Sequence, residues 1–345
     1  MKFFKYTILY SLALILMACG SAPKPKLSSF ENKTSFDERD SSNSKTFAKD
    51  ENFVVLITQE GDTLEGLAKK YLNDANKSWI IADFNDIKKI VPKREVVIPL
   101  KSFNPTGIYP SGYQTIPILC YHRFGEGHEK MAVSEKKFRE QMQYLKDNNF
   151  HVIAMQDISE FVESMGSLPK KSVIITIDDG YRSTYDIAFP ILKEFDFPAT
   201  VFLYTDFMGA RDALSWSQNK EMLKSGLIDL QPHSKSHPNM SLRKINESDK
   251  DYWKRIKAEI DNPSKKIQRY LKNELHTFAY PYGDTNDRII DYLKENKYQL
   301  GVTVQPGGNP AFAHPYMLHR TMVFGDHSLA EFEKVLTVYK QVNLK

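Results

Sequence analysis

The segment that most constrains the fold of this chain is SVIITIDDGYRS, residues 172–183. Its apolar and β-branched run, residues 173–177, predicts a buried strand. Two adjacent acids, Asp178 and Asp179, follow this strand, and neighbouring side chains on a regular strand point to opposite faces. Both carboxylates can approach one centre only if the strand stops here, and Gly180 permits the sharp turn that this requires. Because two adjacent carboxylates repel, the segment also predicts a compensating positive charge nearby.

From residue 116 onward the chain alternates strand-like apolar runs with helical patterns. Alternation of this kind predicts βα units around a parallel sheet. Eight runs predict an α/β fold with a complete or incomplete (β/α) barrel, whose chemistry lies where the strands end at their carboxyl side. The predicted strands cover residues 116–121, 151–153, 173–177, 199–204, 227–230, 277–280, 300–304 and 317–323.

Two further strand ends carry unusual residues. His233 and His237 follow a short apolar run in LQPHSKSHP, and two imidazoles at this spacing can bind one metal ion if the segment forms a tight turn. The alternative is a pair of solvated surface histidines. The other strand end, HTFAYPYGDTN, places a rigid turn at Pro281, Tyr282 and Gly283, with an exposed backbone amide at the same rim.

Together these segments resemble the motifs of the NodB-like polysaccharide deacetylases, a carbohydrate esterase family with a (β/α) barrel. TIDDG is similar to the first motif of the family, HSKSHP to the second and FAYPYG to the third, in the same order along the chain. IPILCYHRF also resembles the usual opening strand of the family. The resemblance runs from Ile116 to about Val323, and it implies a metal-dependent hydrolase that acts on acetylated glycans.

The resemblance implies a role for each motif residue. Asp179, His233 and His237 would hold a divalent metal, commonly Zn²⁺, and three protein ligands leave a position open for water and substrate. Asp178 would act as the general base that takes a proton from this water. The backbone N–H of Tyr282 would stabilise the tetrahedral oxyanion that forms on the acetamide carbon.

The chain also departs from the family pattern. Ala279 occupies the position at which the third motif often carries an arginine that orients the base, and no tryptophan-bearing fourth motif is visible. The general acid of the family is a histidine near the last strand, which favours His319 of MLHRTMV for that role. If this segment is a strand, neighbouring side chains point to opposite faces, so the alternative is that Arg320 faces the pocket. His122 and Pro281 are candidates for the pocket lining, and His122 could equally be a structural histidine.

A small unit precedes the barrel at residues 52–100. A β-rich run is followed by GDTL, which can cap a helix, then by a second short helix and a closing strand. This βααβ order, with GDTL and IADFN, resembles the LysM module. The resemblance implies binding to glycans that contain N-acetylglucosamine (GlcNAc); the alternative is a spacer that does not bind glycans. Composition predicts a flexible tether at residues 19–52 and a linker at residues 101–115, so the deacetylase domain covers residues 116–345.

The first residues predict a targeting segment. Lys2 and Lys5 precede an apolar run that is shorter than the ~20 residues of a membrane-spanning helix. The run ends in LMACGS, which resembles the bacterial lipobox, so residues 1–18 would be a lipoprotein signal peptide and Cys19 would carry the lipid. The protein is therefore predicted to be an exported, membrane-anchored lipoprotein of the cell envelope; the alternative is an ordinary secretory signal. The other cysteine, Cys120, then lacks a disulfide partner and is predicted to be a small core residue.

Composition and motifs together favour one function. The net charge of +4 is small for 345 residues and no long basic run occurs, which argues against nucleic acid as a partner. The leading hypothesis is metal-dependent hydrolytic N-deacetylation of a GlcNAc-containing cell-envelope polysaccharide, either peptidoglycan or poly-N-acetylglucosamine, with release of acetate. The alternatives are a catalytically inactive glycan-binding envelope lipoprotein and a glycoside hydrolase that uses Asp178 and Asp179 as its acid pair.

Overall fold

A computed structural model of the protein describes residues 45–127 and 130–342. Within those residues, no helix is both long enough and apolar enough to cross a bilayer. Cys19 and the predicted signal peptide lie outside the described residues.

The N-terminal unit is a three-stranded antiparallel sheet packed against two helices. Its elements are β1 Lys45–Lys49, β2 Phe53–Ile57, α1 Leu64–Leu72, α2 Ser78–Asn85 and β3 Glu95–Pro99, with the sheet order β1-β2-β3. Thr63 caps α1 by accepting a hydrogen bond from the Gly66 N–H at 2.9 Å. Leu56, Ile81 and Ile98 are fully buried in one apolar cluster. The predicted order of strand, helix, helix and strand is therefore confirmed.

Strand β1 corrects the end of the tether that was predicted at residues 19–52. It pairs antiparallel with β2, so residues 45–49 belong to the folded unit. Phe47 is 70% exposed, so backbone hydrogen bonds to the open edge of β2, and not burial of apolar side chains, form this strand. Backbone pairing of this kind leaves no pattern in the composition, which is why the prediction was wrong here.

The second unit is built on parallel strands, as the sequence predicts. Its strands are β4 Ile108–Tyr109, β5 Gly112–Gln114, β6 Ile116–Tyr121, β7 Arg123–Phe124, β8 Ala132–Val133, β9 His151–Val152, β10 Ser172–Ile177, β11 Ala199–Leu203, β12 Ile228–Pro232, β13 Thr277–Ala279, β14 Leu300–Val302, β15 Gly308–Asn309, β16 Thr321–Met322 and β17 Tyr339–Gln341. The main sheet has the order β12-β11-β10-β6, and β16 pairs with β6. These pairings are all parallel, and β13 and β14 form a separate parallel pair.

The barrel is incomplete between β12 and β13, where the described residues form no strand ladder. The fully buried Gln231 side chain bridges this gap. Its Oε1 accepts hydrogen bonds from the N–H groups of His276 and Thr277 at 3.0 and 3.1 Å. Beyond β14, a single bridge between Val302 and Leu318 continues the ring. The predicted (β/α) barrel is therefore present in an incomplete form.

Helices pack against these strands and enclose the main apolar core. They are α3 Glu135–Asp147, α4 Ile158–Val162, α5 Phe189–Phe195, α6 Trp216–Lys224, α7 Asp249–Leu271, α8 Asp287–Glu295 and α9 Leu329–Lys334. Ser134 caps α3 by accepting a hydrogen bond from the Lys137 N–H. Phe138, Met142 and Leu145, which recur at helical spacing, are all fully buried against the sheet.

The predicted linker at residues 101–115 is more ordered than expected. Strands β4 and β5 within it form a hairpin, and β5 also pairs with β17 near the end of the described chain. The buried Gln114 side chain donates a hydrogen bond to the Pro169 carbonyl at 2.7 Å. The segment is therefore part of the second unit.

The last predicted strand, residues 317–323, is mostly irregular. Only Thr321 and Met322 pair with β6. The Asn309 side chain bonds the backbone of His319 instead, accepting from its N–H at 2.8 Å and donating to its carbonyl at 2.9 Å. Because a side chain satisfies these backbone groups, the segment needs no strand partner there.

Candidate active site

Strand β10 ends as predicted, and the two acids that follow it approach one centre. Asp179 has φ +73° and Gly180 has φ +79°, so both residues adopt the left-handed conformation. His233 Nε2 lies 3.7 Å from Asp178 Oδ2 and 3.8 Å from Asp179 Oδ1. The predicted turn is therefore confirmed, and Asp179 itself takes part in it.

Three more residues at or beside this centre have a left-handed backbone. These are Ser234 at φ +70°, His237 at φ +59° and Tyr282 at φ +60°. Each such conformation costs a non-glycine residue about 1–3 kcal/mol, and it persists only where the surroundings enforce it. The strained positions gather at the ends of β10, β12 and β13, where the predicted motifs lie.

Arg320 supplies the positive charge that the adjacent acids require. Its guanidinium donates two hydrogen bonds to Asp178, from Nη1 to Oδ1 at 2.6 Å and from Nη2 to Oδ2 at 2.8 Å. Nε donates to the Thr303 carbonyl at 2.8 Å, and Nη1 also reaches Thr176 Oγ1 at 3.2 Å. Burial is the largest influence on Asp178 and opposes its ionisation, but the charge and hydrogen bonds of Arg320, together with His233 and His122, outweigh burial and hold the pKa of Asp178 well below its ordinary value.

This pairing resolves the departure at Ala279. The arginine expected there is absent, but Arg320 reaches the same acid from a different segment, 142 positions along the chain from Asp178. Arg320 is fully buried, so of the two neighbouring residues it is the one that faces the acids. The sequence favours His319 and leaves Arg320 as the alternative, and the contact between Arg320 and Asp178 decides which of the two residues faces the acids.

The side chains of Asp179, His233 and His237 bring three donor atoms within 4.8 Å of one another. His237 Nε2 lies 3.4 Å from Asp179 Oδ1 and 3.2 Å from His233 Nε2. His233 Nδ1 lies 2.8 Å from the Ala279 carbonyl, which can only accept, so Nδ1 carries the proton and Nε2 offers its lone pair. Asp179 Oδ1 is buried and has no hydrogen-bond partner among the described residues. This unpartnered carboxylate oxygen and the two nearby imidazole nitrogens form a set of donors that fits a divalent cation.

The ionisation of this cluster also suits a cation. Burial, with a contribution from the Asp178 charge, raises the pKa of Asp179 to about 6. Burial lowers the pKa of His233 to about 3 and also lowers the pKa of His237. At neutral pH the cluster therefore presents a carboxylate and two neutral imidazoles, which is the protonation state that metal ligands need.

Aromatic rings surround the exposed side of His237. The Tyr282 ring lies 4.9 Å from the His237 ring and is 60% exposed, while Pro281, the buried first residue of a 3₁₀ turn, holds the segment in place. The Tyr204 ring lies 5.3 Å from His237 on another side and stacks on Phe207 at 5.1 Å. Burial raises the pKa of Tyr204 to about 12, so its hydroxyl stays protonated. Sequence reasoning missed Tyr204 and Phe207, because loop aromatics outside a motif carry no distinguishing pattern.

His122 and His319 differ in their relation to the acids. A ring nitrogen of His122, Sγ of Cys120 and a carboxylate oxygen of Asp178 all lie within 4.8 Å of one another. The half-buried His319 ring lies beside Gly307, where an added Cβ would stand 2.9 Å from Nδ1. Across the described chain, no hydrogen bond or ion pair joins this ring to the two acids. Cys120 is fully buried, as predicted for a core residue.

Comparison with known proteins agrees with this geometry. The sequence pattern of the polysaccharide deacetylase family matches residues 165–301, which contain both acids, both imidazoles and the turn at Tyr282. A poly-beta-1,6-N-acetyl-D-glucosamine N-deacetylase of Staphylococcus epidermidis is 34% identical over 205 residues, which are 56% of this chain and 69% of the relative. A counterpart of the same description from Staphylococcus aureus is 27% identical over 200 residues, 56% of this chain and 69% of that protein.

Solved structures share the fold. The Streptococcus pyogenes deacetylase PplD, determined in complex with acetate, has a TM-score of 0.59 at 24% identity, over 65% of this chain and 98% of that one. IcaB from Ammonifex degensii has a TM-score of 0.58 at 24% identity, over 65% of this chain and 97% of that one. With the incomplete barrel, the paired acids and the sequence identity to the staphylococcal relative, these matches place the chain in the polysaccharide deacetylase family.

Proposed function

We propose that this protein is a metal-dependent N-deacetylase that hydrolyses the acetamido groups of a GlcNAc-containing cell-envelope polysaccharide and releases acetate. The observation that carries this proposal is the buried, unpartnered Asp179 Oδ1, which faces two imidazole nitrogens beside the Asp178–Arg320 pair. The staphylococcal relative acts, by its name, on poly-beta-1,6-N-acetyl-D-glucosamine. We therefore propose a polymer of that class as the substrate, with peptidoglycan as the alternative.

Asp179, His233 and His237 would hold the cation, and this set of donors suits Zn²⁺. When bound, such an ion lowers the pKa of a water molecule and polarises the acetyl carbonyl. The three ligand side chains are placed by strained turns and by the His233–Ala279 hydrogen bond, so little reorganisation is needed to receive it.

Asp178 would be the general base. Its low pKa keeps it ionised at neutral pH, and the bidentate contact with Arg320 fixes the plane of the carboxylate. A fixed and ionised carboxylate beside the cation site can take a proton from water within hydrogen-bond reach.

The backbone N–H of Tyr282 would stabilise the oxyanion. It lies at the end of β13, and within the described part of the chain no backbone hydrogen bond engages it. Tyr282 has a left-handed backbone, and its ring lies 4.9 Å from the His237 ring. Removing one oxyanion donor of this kind costs about 10²–10³ in rate.

The leaving amine needs a proton, and two histidines are candidates for supplying it. The sequence favours His319, which has no described contact with the acids. We propose His122 instead, because its ring nitrogen lies within 4.8 Å of the Asp178 carboxylate. From that position it can serve the same reacting group as the base.

The two alternative functions lose support. The missing arginine at Ala279 and the missing fourth motif were the reasons to consider an inactive scaffold, and the contact between Arg320 and Asp178 answers the first of them. A glycoside hydrolase needs two carboxyl groups on opposite sides of a glycosidic bond. Here Asp178 is paired with an arginine and Asp179 with two histidines, which does not fit that arrangement.

The N-terminal segments would bring the enzyme to its substrate. We propose that the LysM-like unit binds GlcNAc-containing glycan and that Cys19 carries a lipid that anchors the exported protein in an envelope membrane. The support for both is the resemblance of their motifs. Tethering raises the effective concentration of substrate at the barrel even if the unit binds weakly.

Acetate release tests the function directly. We expect the protein loaded with Zn²⁺ to release acetate from β-1,6-linked GlcNAc oligomers, to lose this activity in excess chelator and to regain it when Zn²⁺ is restored. A parallel assay on peptidoglycan separates the two polymers. No acetate from either polymer with any divalent metal would refute the proposal, and shortened oligomers without acetate would indicate a glycosidase.

A further inference from the structure

Glu259 is a buried carboxylate on a helix face that is otherwise apolar. Helix α7 buries Ile256, Ile260 and Ile267 at helical spacing. Glu259 lies within the same stripe and is only 5% exposed. A charged side chain in such a place lowers stability unless hydrogen bonds replace the water that it loses. Glu259 belongs to none of the sequence motifs of the site, so its burial requires a partner from another segment.

That partner is the loop between the two candidate ligand histidines. The Lys235 and Ser236 N–H groups donate to Glu259 Oε2 at 2.9 and 2.8 Å, and the Ser236 hydroxyl donates to Oε1 at 2.7 Å. Within residues 45–127 and 130–342, no backbone carbonyl accepts from either N–H group. One side chain therefore satisfies both backbone donors in the middle of the loop.

Backbone contacts hold the opposite side of the same loop. The Thr205 N–H donates to the Ser234 carbonyl at 3.3 Å, and the Asp206 N–H donates to the Lys235 carbonyl at 2.8 Å. The segment after β11 thus engages the carbonyl groups of the loop, while Glu259 engages its N–H groups. Removal of Glu259 would leave the loop held from one side.

The shape of this loop sets the distance between the two imidazoles at its ends. His233 Nε2 and His237 Nε2 lie 3.2 Å apart. Ser234 and His237 have a left-handed backbone, which persists only where the surroundings enforce it. We infer that Glu259 is a positioning residue of the cation site, which acts by holding the loop and not as a ligand. The inference rests on the proposed function, since the cation belongs to that function.

Three substitutions of Glu259 separate its geometry from its charge. Glu259→Met keeps a side chain of similar length and removes both acceptors, so the zinc dissociation constant, measured by calorimetry on the full chain, should rise about 10–100-fold. Glu259→Gln removes the charge but keeps an oxygen for the two N–H groups, so the constant should stay within about threefold of the unchanged protein. Glu259→Asp keeps the charge but is one methylene shorter, so it should weaken zinc binding at least about tenfold even if Glu259→Met does not fold.

Ile267→Ala is the matched control, because it removes a fully buried side chain of α7 about two turns beyond Glu259. It should lower the urea midpoint of unfolding and leave the zinc dissociation constant unchanged. Hydrogen exchange of residues 233–237 is also followed in chelator-treated protein, so that no metal ion protects the loop. Glu259→Met should speed this exchange about tenfold, whereas Glu259→Gln and Ile267→Ala should keep the rate of the unchanged protein.

Equal zinc dissociation constants in Glu259→Met and Ile267→Ala would overturn the positioning role. Zinc binding that is weakened in Glu259→Gln but not in Glu259→Asp would overturn it as well, because charge and not reach would then matter. If the unchanged protein binds no zinc, the metal centre of the proposed function fails, and the exchange rates then decide whether Glu259 holds the loop. Faster exchange in Glu259→Met would still support that contact, and an unchanged rate would refute it.

Discussion

Replacing Arg320 with methionine tests the contact that holds the proposed base. Asp178 is 1% exposed and Arg320 is fully buried, and two hydrogen bonds of 2.6 and 2.8 Å join them. Removing one partner of a buried ion pair leaves the other charge uncompensated and costs about 3–5 kcal/mol. Arg320→Met should therefore lower the free energy of unfolding by about 3–5 kcal/mol, measured by urea unfolding of the chelator-treated full chain.

A double-mutant cycle separates the pair from general packing loss. Asp178→Asn removes the charge, so Arg320→Met should cost less in that background than in the unchanged protein. We expect a coupling free energy of at least about 2 kcal/mol between the two positions. If the two substitutions are additive within about 0.5 kcal/mol, the pair does not stabilise the fold and the reasoning about compensation is wrong.

The Asp178–Arg320 pair also predicts how the stability difference between Arg320→Met and the unchanged protein depends on pH. In the unchanged protein the pKa of Asp178 is lowered, so its contribution to stability is complete above the ordinary aspartate value of about 4 and is lost as the pH falls through the lower folded-state pKa. In Arg320→Met the Arg320 charge is lost while burial, the largest influence on Asp178, remains, so the pKa rises and the neutral acid is favoured. The stability difference between the two proteins should therefore begin to shrink as the pH falls through the raised pKa of the variant, above about pH 4, and should shrink further below about pH 4, where the unchanged protein loses its own contribution. A difference that stays constant down to pH 2 would contradict this.

Three further predictions concern other parts of the site and the barrel. Because the pKa of Asp179 is raised to about 6, a proton competes with the cation below that pH. The zinc affinity measured by calorimetry should therefore fall about tenfold for each pH unit below about 6. A zinc affinity that stays constant from about pH 6 to about pH 4.5 would exclude Asp179 as a ligand. Gln231→Leu leaves the N–H groups of His276 and Thr277, at the start of β13, without their acceptor, so urea unfolding should show a loss of about 2–4 kcal/mol, whereas a loss below about 1 kcal/mol would mean that water replaces the side chain. His122→Ala should lower kcat for acetate release by about 10²–10⁴, while His319→Ala should change it less than tenfold; the reverse order would return the role of acid to His319.

The parts of the fold that sequence predicts are those in which side-chain pattern and backbone agree. The apolar run into Asp178 predicts both the buried strand and its end, because a strand cannot direct two adjacent acids to one pocket. The spacing of Phe138, Met142 and Leu145 predicts the buried face of α3 for the same kind of reason. Strand β1 escapes prediction because backbone pairing alone forms it and its Phe47 stays exposed.

The parts of the site that sequence could not predict depend on contacts between distant segments. The choice between His319 and Arg320 depends on which side chain faces inward, and the irregular backbone after Pro315 removes the simple strand alternation that would decide it. Arg320 then contacts Asp178, which is 142 positions away in the sequence, and no local sequence pattern predicts this contact. The aromatic residues Tyr204 and Phe207 likewise gain their significance only from their distance to His237.

The central claim is that the two adjacent acids have unequal roles, one holding the cation and the other accepting a proton. It is tested most directly by measuring bound zinc and acetate release together in Asp178→Asn and Asp179→Ala, with β-1,6-linked GlcNAc pentamer as substrate. We expect Asp179→Ala to lose zinc and activity together, because it removes one of three ligands. Asp178→Asn should keep about one equivalent of zinc per chain and lose most of its turnover. Loss of zinc from Asp178→Asn, or full activity in either variant, would contradict the account.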